Sequence, residues 1–218
     1  ALIEPDSAKP LLKEHVPSQI KNRLKINIPE KERQTLMKRL QSECPENPLK
    51  KIILLNANAS DIVPLRKWPL ENYVELGKQL LENSEFTVVL TGSPEEKDVC
   101  VDLALQINPD RTVNFAGKTS FKELITLYSI SDLLITNDSG PVHFASTTEI
   151  PIMALFGPGS TVDFGPMSPN AKVISLKLAC SPCVSVLNQK KSSCDDNQCM
   201  KQISVQMVVK ETQKILGK

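Results

Sequence analysis

Aromatic residues are scarce in this chain, with one tryptophan, two tyrosines and six phenylalanines among 218 residues. That scarcity argues against a surface built to stack nucleic-acid bases. Neither sign of charge dominates, since 26 lysines and arginines face 25 acidic residues for a formal net charge of +1. The sequence therefore offers no global electrostatic pull toward nucleic acid or an anionic membrane. No apolar run approaches the roughly 20 residues that span a bilayer. The start, Ala-Leu-Ile-Glu-Pro-Asp, has neither the basic nor the apolar region of a secretion signal. The expectation is a soluble, cytoplasmic protein. Because the first residue is not methionine, a processed product or a piece of something longer is expected. There is no internal repeat or low-complexity tract, and the length suffices for one large or two small domains.

What is present begins with prolines. Pro5, Pro10, Pro17 and Pro29 punctuate charges and isolated apolar residues that follow no period. Residues 1–29 therefore read as a linker or interdomain strap, with one possible strand over 24–28. Pro29-Glu30-Lys31-Glu32 opens a helix that carries Leu36, Met37 and Leu40 at helical spacing and ends before Pro45. From Lys51 the pattern alternates: strand 52–55, helix 70–81, strand 86–90, helix 94–107, strand 112–115, helix 121–130, strand 133–136 and, after a short helix, strand 152–156. A strand at 172–176, a cysteine-bearing loop at 180–199 and an amphipathic helix at about 204–216 follow. Such alternation predicts an α/β fold, a Rossmann-like doubly wound parallel sheet with helices on both faces, forming one domain over 30–218.

The stretch 133–157 organises the rest. Leu133-Leu134-Ile135-Thr136 is too short for a buried helix and stops at Asn137-Asp138-Ser139-Gly140, four turn-forming or capping residues in a row. Pro141 suits the first position of a helix, and Asp138 or Ser139 is placed to cap the N–H groups behind it. The crevice at the carboxyl ends of the strands is where doubly wound sheets hold ligands. A helix start facing that crevice favours an anion, and His143 on its first turn offers a proton donor. The plainer reading of His143 is a helix residue facing the sheet.

The loop after the first strand is long for its kind, running from Asn56 to Pro69. Asn58 and Ser60 leave backbone N–H groups accessible, and Arg66 and Lys67 bring adjacent positive charges. A hydrogen bond to a charged group contributes roughly 1.5–3 kcal/mol, so two or three supply much of the roughly 4–8 kcal/mol of millimolar to micromolar binding. The competing reading leaves Arg66 and Lys67 solvated and makes Trp68-Pro69 a staple for the next helix. Two nucleotide motifs fail. Gly117-Lys118-Thr119 lacks the Walker A glycine where Thr112 stands, and Gly157-Pro158-Gly159 has Val162 at the third fingerprint glycine, with no helix pattern beginning there. No Asp-x-Asp pair is present to hold a divalent ion on a diphosphate.

Asn137-Asp138-Ser139-Gly140-Pro141-Val142-His143, with Ala145 and the strand ending Phe156-Gly157-Pro158, resembles the signature of glycosyltransferase family nine, the bacterial heptosyltransferase family. The likeness extends upstream to Asn56-Ala57-Asn58-Ala59-Ser60 and Arg66-Lys67-Trp68-Pro69, and downstream to Cys180-Ser181-Pro182-Cys183 and Cys199-Met200. It implies a GT-B fold of two Rossmann-like halves, of which this chain carries the C-terminal, donor-binding one. The N-terminal half, with the acidic general base, has no counterpart here, so this chain alone is expected to be inactive. The implied reaction transfers a sugar from a nucleotide-diphosphate donor to a lipopolysaccharide-type glycolipid, with peripheral contact with the inner membrane and no required cofactor. Residue by residue, Asp138, Ser139, Gly140 and His143 match the family's donor-binding turn, and His143 becomes the candidate leaving-group donor. Asn58 and Ser60 match its phosphate loop, and Arg66 its basic residue, with Lys67 next. Glu95 or Glu96 matches the acidic residue that reaches the ribose. The alternative for that pair is a first-turn cap favoured by the helix dipole by ~0.3–1 kcal/mol. Two readings from other classes stand beside the enzyme: a non-catalytic nucleotide-sugar-binding module, and an interaction domain organised by the cysteine loop.

Of six cysteines, Cys44 and Cys100 sit in helical contexts as free thiols. Cys180-x2-Cys183, followed by Cys194 and the more widely spaced Cys199, is compatible with a structural four-thiolate zinc site. Structural thiols and disulfides stay open beside it.

Overall fold

The computed structural model describes residues 24–185, 188–189 and 191–217. Six strands are present: β1 (Lys51–Asn56), β2 (Phe86–Leu90), β3 (Thr112–Asn114), β4 (Leu133–Asn137), β5 (Ile152–Leu155) and β6 (Ala171–Ile174). All pair in parallel, in the order β3-β2-β1-β4-β5-β6. Parallel neighbours need crossovers, and helices supply most of them: α1 (Glu30–Ser42) precedes the sheet, α2 (Leu70–Leu81), α3 (Lys97–Ile107), α4 (Phe121–Ile130), α5 (Gly140–Ala145) and α6 (Thr161–Phe164) lie between strands, and α7 (Gln198–Lys201) and α8 (Val205–Leu216) close the chain.

A sheet covered on both faces is built from apolar runs whose alternate residues serve opposite layers. Ile53, Leu55, Val88, Leu90, Leu133, Ile135 and Met153 join the core under α2, α3 and α8, with Trp68, Leu76, Leu103 and Val208. Ile52, Leu54, Val89, Leu134, Ile152 and Ala154 join the core under α1, α4 and α5, with Leu40, Leu127 and Val142. The chain winds outward from β1 to β3, returns to place β4 on the other side of β1, and winds outward again. Strand order reverses between β1 and β4, where Leu55 lies opposite Ile135 and Asn56 opposite Thr136. A crevice opens at the carboxyl ends of the strands at such a reversal.

Three local expectations need correction. The strand expected at 24–28 is not formed. Its backbone runs past the end of α5, bonding once from Ile26 N–H to Thr147 O (2.9 Å), where no strand is available to pair with. Leu24 is exposed there and Ile28 alone is buried. Residues 1–23 of the expected strap lie outside the described residues. The helix expected from residue 94 begins as a 3-10 turn, Pro94–Glu96, before α3. A helix does form just past Gly159, the four-residue α6, because the Ser160 hydroxyl accepts the Asp163 N–H at 3.2 Å.

Candidate functional site

Everything at the crevice hangs on the last residue of β4. The Asn137 side chain is fully buried and uses both ends of its amide. Its Oδ1 accepts the Trp68 N–H at 3.1 Å and lies 3.1 Å from the Tyr73 hydroxyl, while Nδ2 donates to Ala57 O at 2.9 Å and Asn58 O at 3.4 Å. The Tyr73 hydroxyl shares its proton with Asn56 O at 3.2 Å, and burial pushes its pKa up, so it remains a donor. Both ends of the long β1–α2 loop are thereby tied to β4. The loop carrying Ser60 and the corner carrying Ser139 meet across the switch point.

Between them lies a cavity of about 420 Å³, within the range of small-molecule sites. Asn58, Ser60, Ser139 and Gly140 line part of its wall. Asn58 donates from Nδ2 to the Cys100 sulfur at 3.8 Å, and burial pushes that thiol up to about 11, so it stays protonated at neutral pH. Ser139 holds the N-cap position of α5, yet its side chain does not cap: the hydroxyl turns back to Asn137 O at 3.2 Å. The cap expected of Ser139 is therefore replaced by a bond that stiffens the corner.

Arg66 ends the 3-10 turn Pro64–Arg66, with its Nη1 3.9 Å from Asp138 Oδ1 and its Nε buried without a hydrogen-bond partner. The Asp138 carboxylate packs on Gly159, where a Cβ would stand 2.2 Å from Oδ2. Lys67 does not join this group. It pairs with Asp61 at 2.7 Å on the surface, so the expected double positive charge reduces to one guanidinium already facing a carboxylate. Neither basic residue lines the cavity, and Asp138 lies beside it rather than in it. His143 is exposed on α5, faces neither the sheet nor the cavity, and is partly desolvated, which lowers its pKa. Of the two acidic candidates, Glu96 lines the cavity and its Oε2 accepts the Ser93 N–H at 2.7 Å, so capping and lining coincide in one residue. Glu95 is exposed and off the cavity wall.

A second part of the cavity wall was not read from the sequence. Gly117, Thr119, Phe121 and Leu124, from the β3–α4 segment, form it together with Phe144 of α5. Gly117 adopts φ +70°, and a Cβ there would stand 3.0 Å from the Pro94 backbone. Ser120 and Glu123 make a reciprocal capping box that fixes the start of α4. Phe121 and Phe144 meet edge to face, with centroids 4.9 Å apart. The usable signals were Ser120-x-x-Glu123 and a glycine in a turn. The six cysteines form no disulfide, and among the described residues no three His, Cys, Asp or Glu side chains are grouped to hold a metal ion.

The chain matches the glycosyltransferase family 9 (heptosyltransferase) model over residues 14–193. It belongs to that family. Lipooligosaccharide heptosyltransferase 2 of Campylobacter jejuni serotype O:6 is 31% identical over 179 residues, covering 78% of this chain and 54% of the relative. Lipopolysaccharide heptosyltransferase 2 of Salmonella typhimurium is 34% identical over 116 residues, covering 52% of this chain and 33% of the relative. This family 9 chain thus spans about half the length of the first of these curated relatives. Among solved structures, Escherichia coli ADP-heptose lps heptosyltransferase II superposes with a TM-score of 0.72 at 25% identity, covering 88% of this chain and 53% of that one. A family 9 glycosyltransferase from Veillonella parvula shares the fold with a TM-score of 0.67 at 24% identity, covering 88% and 53%. The fold of the family 9 chain is the α/β arrangement of these GT-B neighbours.

Proposed function

We propose that this family 9 domain is the donor-binding part of a heptosyltransferase-like glycosyltransferase. One observation supports it above the others: Asn137 ties the Ser60 loop to the Ser139 corner, so small polar residues from both line one cavity. In this reading the pyrophosphate of a nucleotide-diphosphate sugar lies between Asn58–Ser60 and Ser139–Gly140, and Arg66 swings toward it from beside Asp138. The Phe121–Phe144 pair takes the base, and Glu96 the ribose. The solved Escherichia coli relative is described as an ADP-heptose enzyme, which makes ADP-heptose the expected donor.

The chemistry is displacement at the anomeric carbon. The acceptor hydroxyl forms the new bond, the glycosidic C–O bond to the diphosphate breaks, and the leaving group gains negative charge. Fixed donors aimed at that charge stabilise the transition state more than the ground state. The lipopolysaccharide-type acceptor and the base that takes its proton belong to the part of the relatives' length that this chain does not cover. His143, neutral at pH 7 and outside the cavity, serves as a leaving-group donor only if the bound sugar extends across α5. No helix among the described residues is long and apolar enough to cross a membrane, in keeping with a cytoplasmic protein touching the inner membrane through its acceptor.

Calorimetric titration of the chain with ADP, an ADP-sugar and a UDP-sugar tests the reading. ADP and the ADP-sugar should compete for one site with micromolar to millimolar affinity, without turnover by the chain alone. Binding of none of the three, under conditions where the chain is folded, refutes it.

A further inference from the structure

Among the described residues, four buried side-chain polar atoms have no hydrogen-bond partner: the Nε atoms of Arg33 and Arg66, and the hydroxyls of Thr112 and Tyr128. Native proteins leave few such atoms, and each one calls for a reason. Arg66 belongs to the corner beside Asp138 described above. Arg33 and Thr112 stand off the cavity wall, whereas Tyr128 is part of it. The residue is 0% exposed, so its hydroxyl is at once unpaired and shielded from bulk water.

The direction of that hydroxyl follows from the helix that carries it. Side chains of a helix lean toward its N-terminus, and α4 starts from Ser120, whose capping box sits on the cavity wall. Phe121, Leu124 and Tyr128 follow at helical spacing along one stripe, and all three line the cavity. The Tyr128 ring therefore points up that stripe with its oxygen leading. Around the ring lie the apolar side chains of the core under α1, α4 and α5. Burial pushes the phenol's pKa up, so the oxygen keeps a proton to donate as well as lone pairs to accept. The neighbouring hydroxyl of Ser120 is already committed to Glu123, 2.8 Å away. Across the cavity Phe144 leans over Gly140, its ring 3.1 Å from where a Cβ there would stand, and meets Phe121 edge to face.

We propose that Tyr128 is a specificity-determining residue for the donor, its hydroxyl bonding a nitrogen or exocyclic group on the edge of the nucleobase. The proposal rests on the donor-binding reading above. Of the donor's parts, the base best matches this wall. A pyrophosphate set among Phe121, Leu124 and Phe144 would lose its hydration without a compensating charge. A flat heteroaromatic ring fits beside Leu124 as Phe121 and Phe144, 60% and 38% exposed, turn to admit it. Its buried edge atoms then need a partner. Tyr128 supplies one, and the ligand in turn satisfies the orphan oxygen. A site that pairs a polar group of its ligand discriminates sharply against ligands that lack it.

Tyr128→Phe deletes that one oxygen. Calorimetric titration of wild type and variant with ADP, and with inorganic pyrophosphate as a competitor of ADP, separates the roles. The variant should bind ADP at least about fivefold more weakly, as loss of one hydrogen bond implies, with pyrophosphate affinity within about twofold of wild type. Its urea midpoint without ligand should equal or exceed that of wild type, because an unpaired buried hydroxyl has been removed. A smaller loss of ADP affinity overturns the proposal and leaves the donor-binding reading intact. An equal loss for ADP and pyrophosphate, or a lowered urea midpoint, overturns it too, since the oxygen then serves the fold. Wild type that binds neither ADP nor pyrophosphate while folded removes the donor-binding reading, and the proposal with it.

Discussion

Replacing Asn137 by alanine is the sharpest test of how the crevice is held. Truncation removes the acceptor of the Trp68 N–H and the donor to Ala57 O, both at sites closed to water, since Trp68 is 0% and Ala57 2% exposed. The other two partners suffer less: the Tyr73 hydroxyl keeps Asn56 O at 3.2 Å, and the bond to Asn58 O is long at 3.4 Å. Two stranded buried groups at about 1–3 kcal/mol each give a loss of roughly 2–6 kcal/mol, against a total of about 5–15 kcal/mol for a typical domain. Urea unfolding followed by fluorescence measures it directly, because the chain's single tryptophan is Trp68 itself. Asn137→Asp adds a sign. At neutral pH it sets a carboxylate oxygen against Ala57 O, and when protonated that oxygen becomes a donor again. Burial raises the pKa of such an acid, so this variant should be more stable at pH 5 than at pH 7.5. An alanine variant that loses less than about 1 kcal/mol, or an aspartate variant with equal stability at both pH values, refutes the account.

Three further outcomes follow from the same geometry. Gly159→Ala places a Cβ 2.2 Å from Asp138 Oδ2, so it should weaken ADP binding in calorimetry while costing about 1–3 kcal/mol of stability in urea. Arg66→Ala should lower donor affinity at least about tenfold, the worth of one charge-assisted bond, whereas Lys67→Ala removes only an exposed pair with Asp61 and should change both affinity and stability by less than about 1 kcal/mol. His143 should titrate below 6.5 by NMR, because partial desolvation disfavours its charged form. The unfolded chain then binds that proton more readily, so stability falls as pH drops through the histidine range, and His143→Gln should flatten that slope. A midpoint at or above 6.5 contradicts this.

The sheet was legible because its inner strands β2, β1, β4 and β5 are largely apolar runs bounded by turn residues, and burial leaves such a run little else to be. Asn137-Asp138-Ser139-Gly140 likewise marked the turn between β4 and α5. What the sequence did not disclose depends on side-chain direction. Nothing in Arg66-Lys67 says which of two adjacent cations turns inward; the answer lies in Asp61, which captures Lys67, and Asp138, which faces Arg66. Glu95 and Glu96 are likewise equivalent on paper, and the capping bond to Ser93 N–H holds Glu96 at the cavity wall. The Phe121–Phe144 pair was missed because its residues come from two helices that become neighbours only when the sheet forms. Ser139, like Asp138, looked like a cap, but its hydroxyl bonds the Asn137 carbonyl within the turn instead.

Arg66 stands outside the cavity wall with a counter-charge already facing it. A mostly buried guanidinium without a counter-charge costs several kcal/mol, and Asp138 supplies that charge. At 3.9 Å, however, the pair is too long for a hydrogen bond, and Nε has no partner at all. The charge is therefore compensated while donors remain unused. On the proposed reading, an incoming anion would meet a cation whose desolvation was borne on folding, and the hydrogen bonds it formed would be largely net gain. Asn137 completes the arrangement from the other side: by fixing the loop in the empty protein it removes most of the ordering entropy that binding would otherwise cost. A corner locked from within and a cation compensated but not satisfied together make the proposed site a preorganised one.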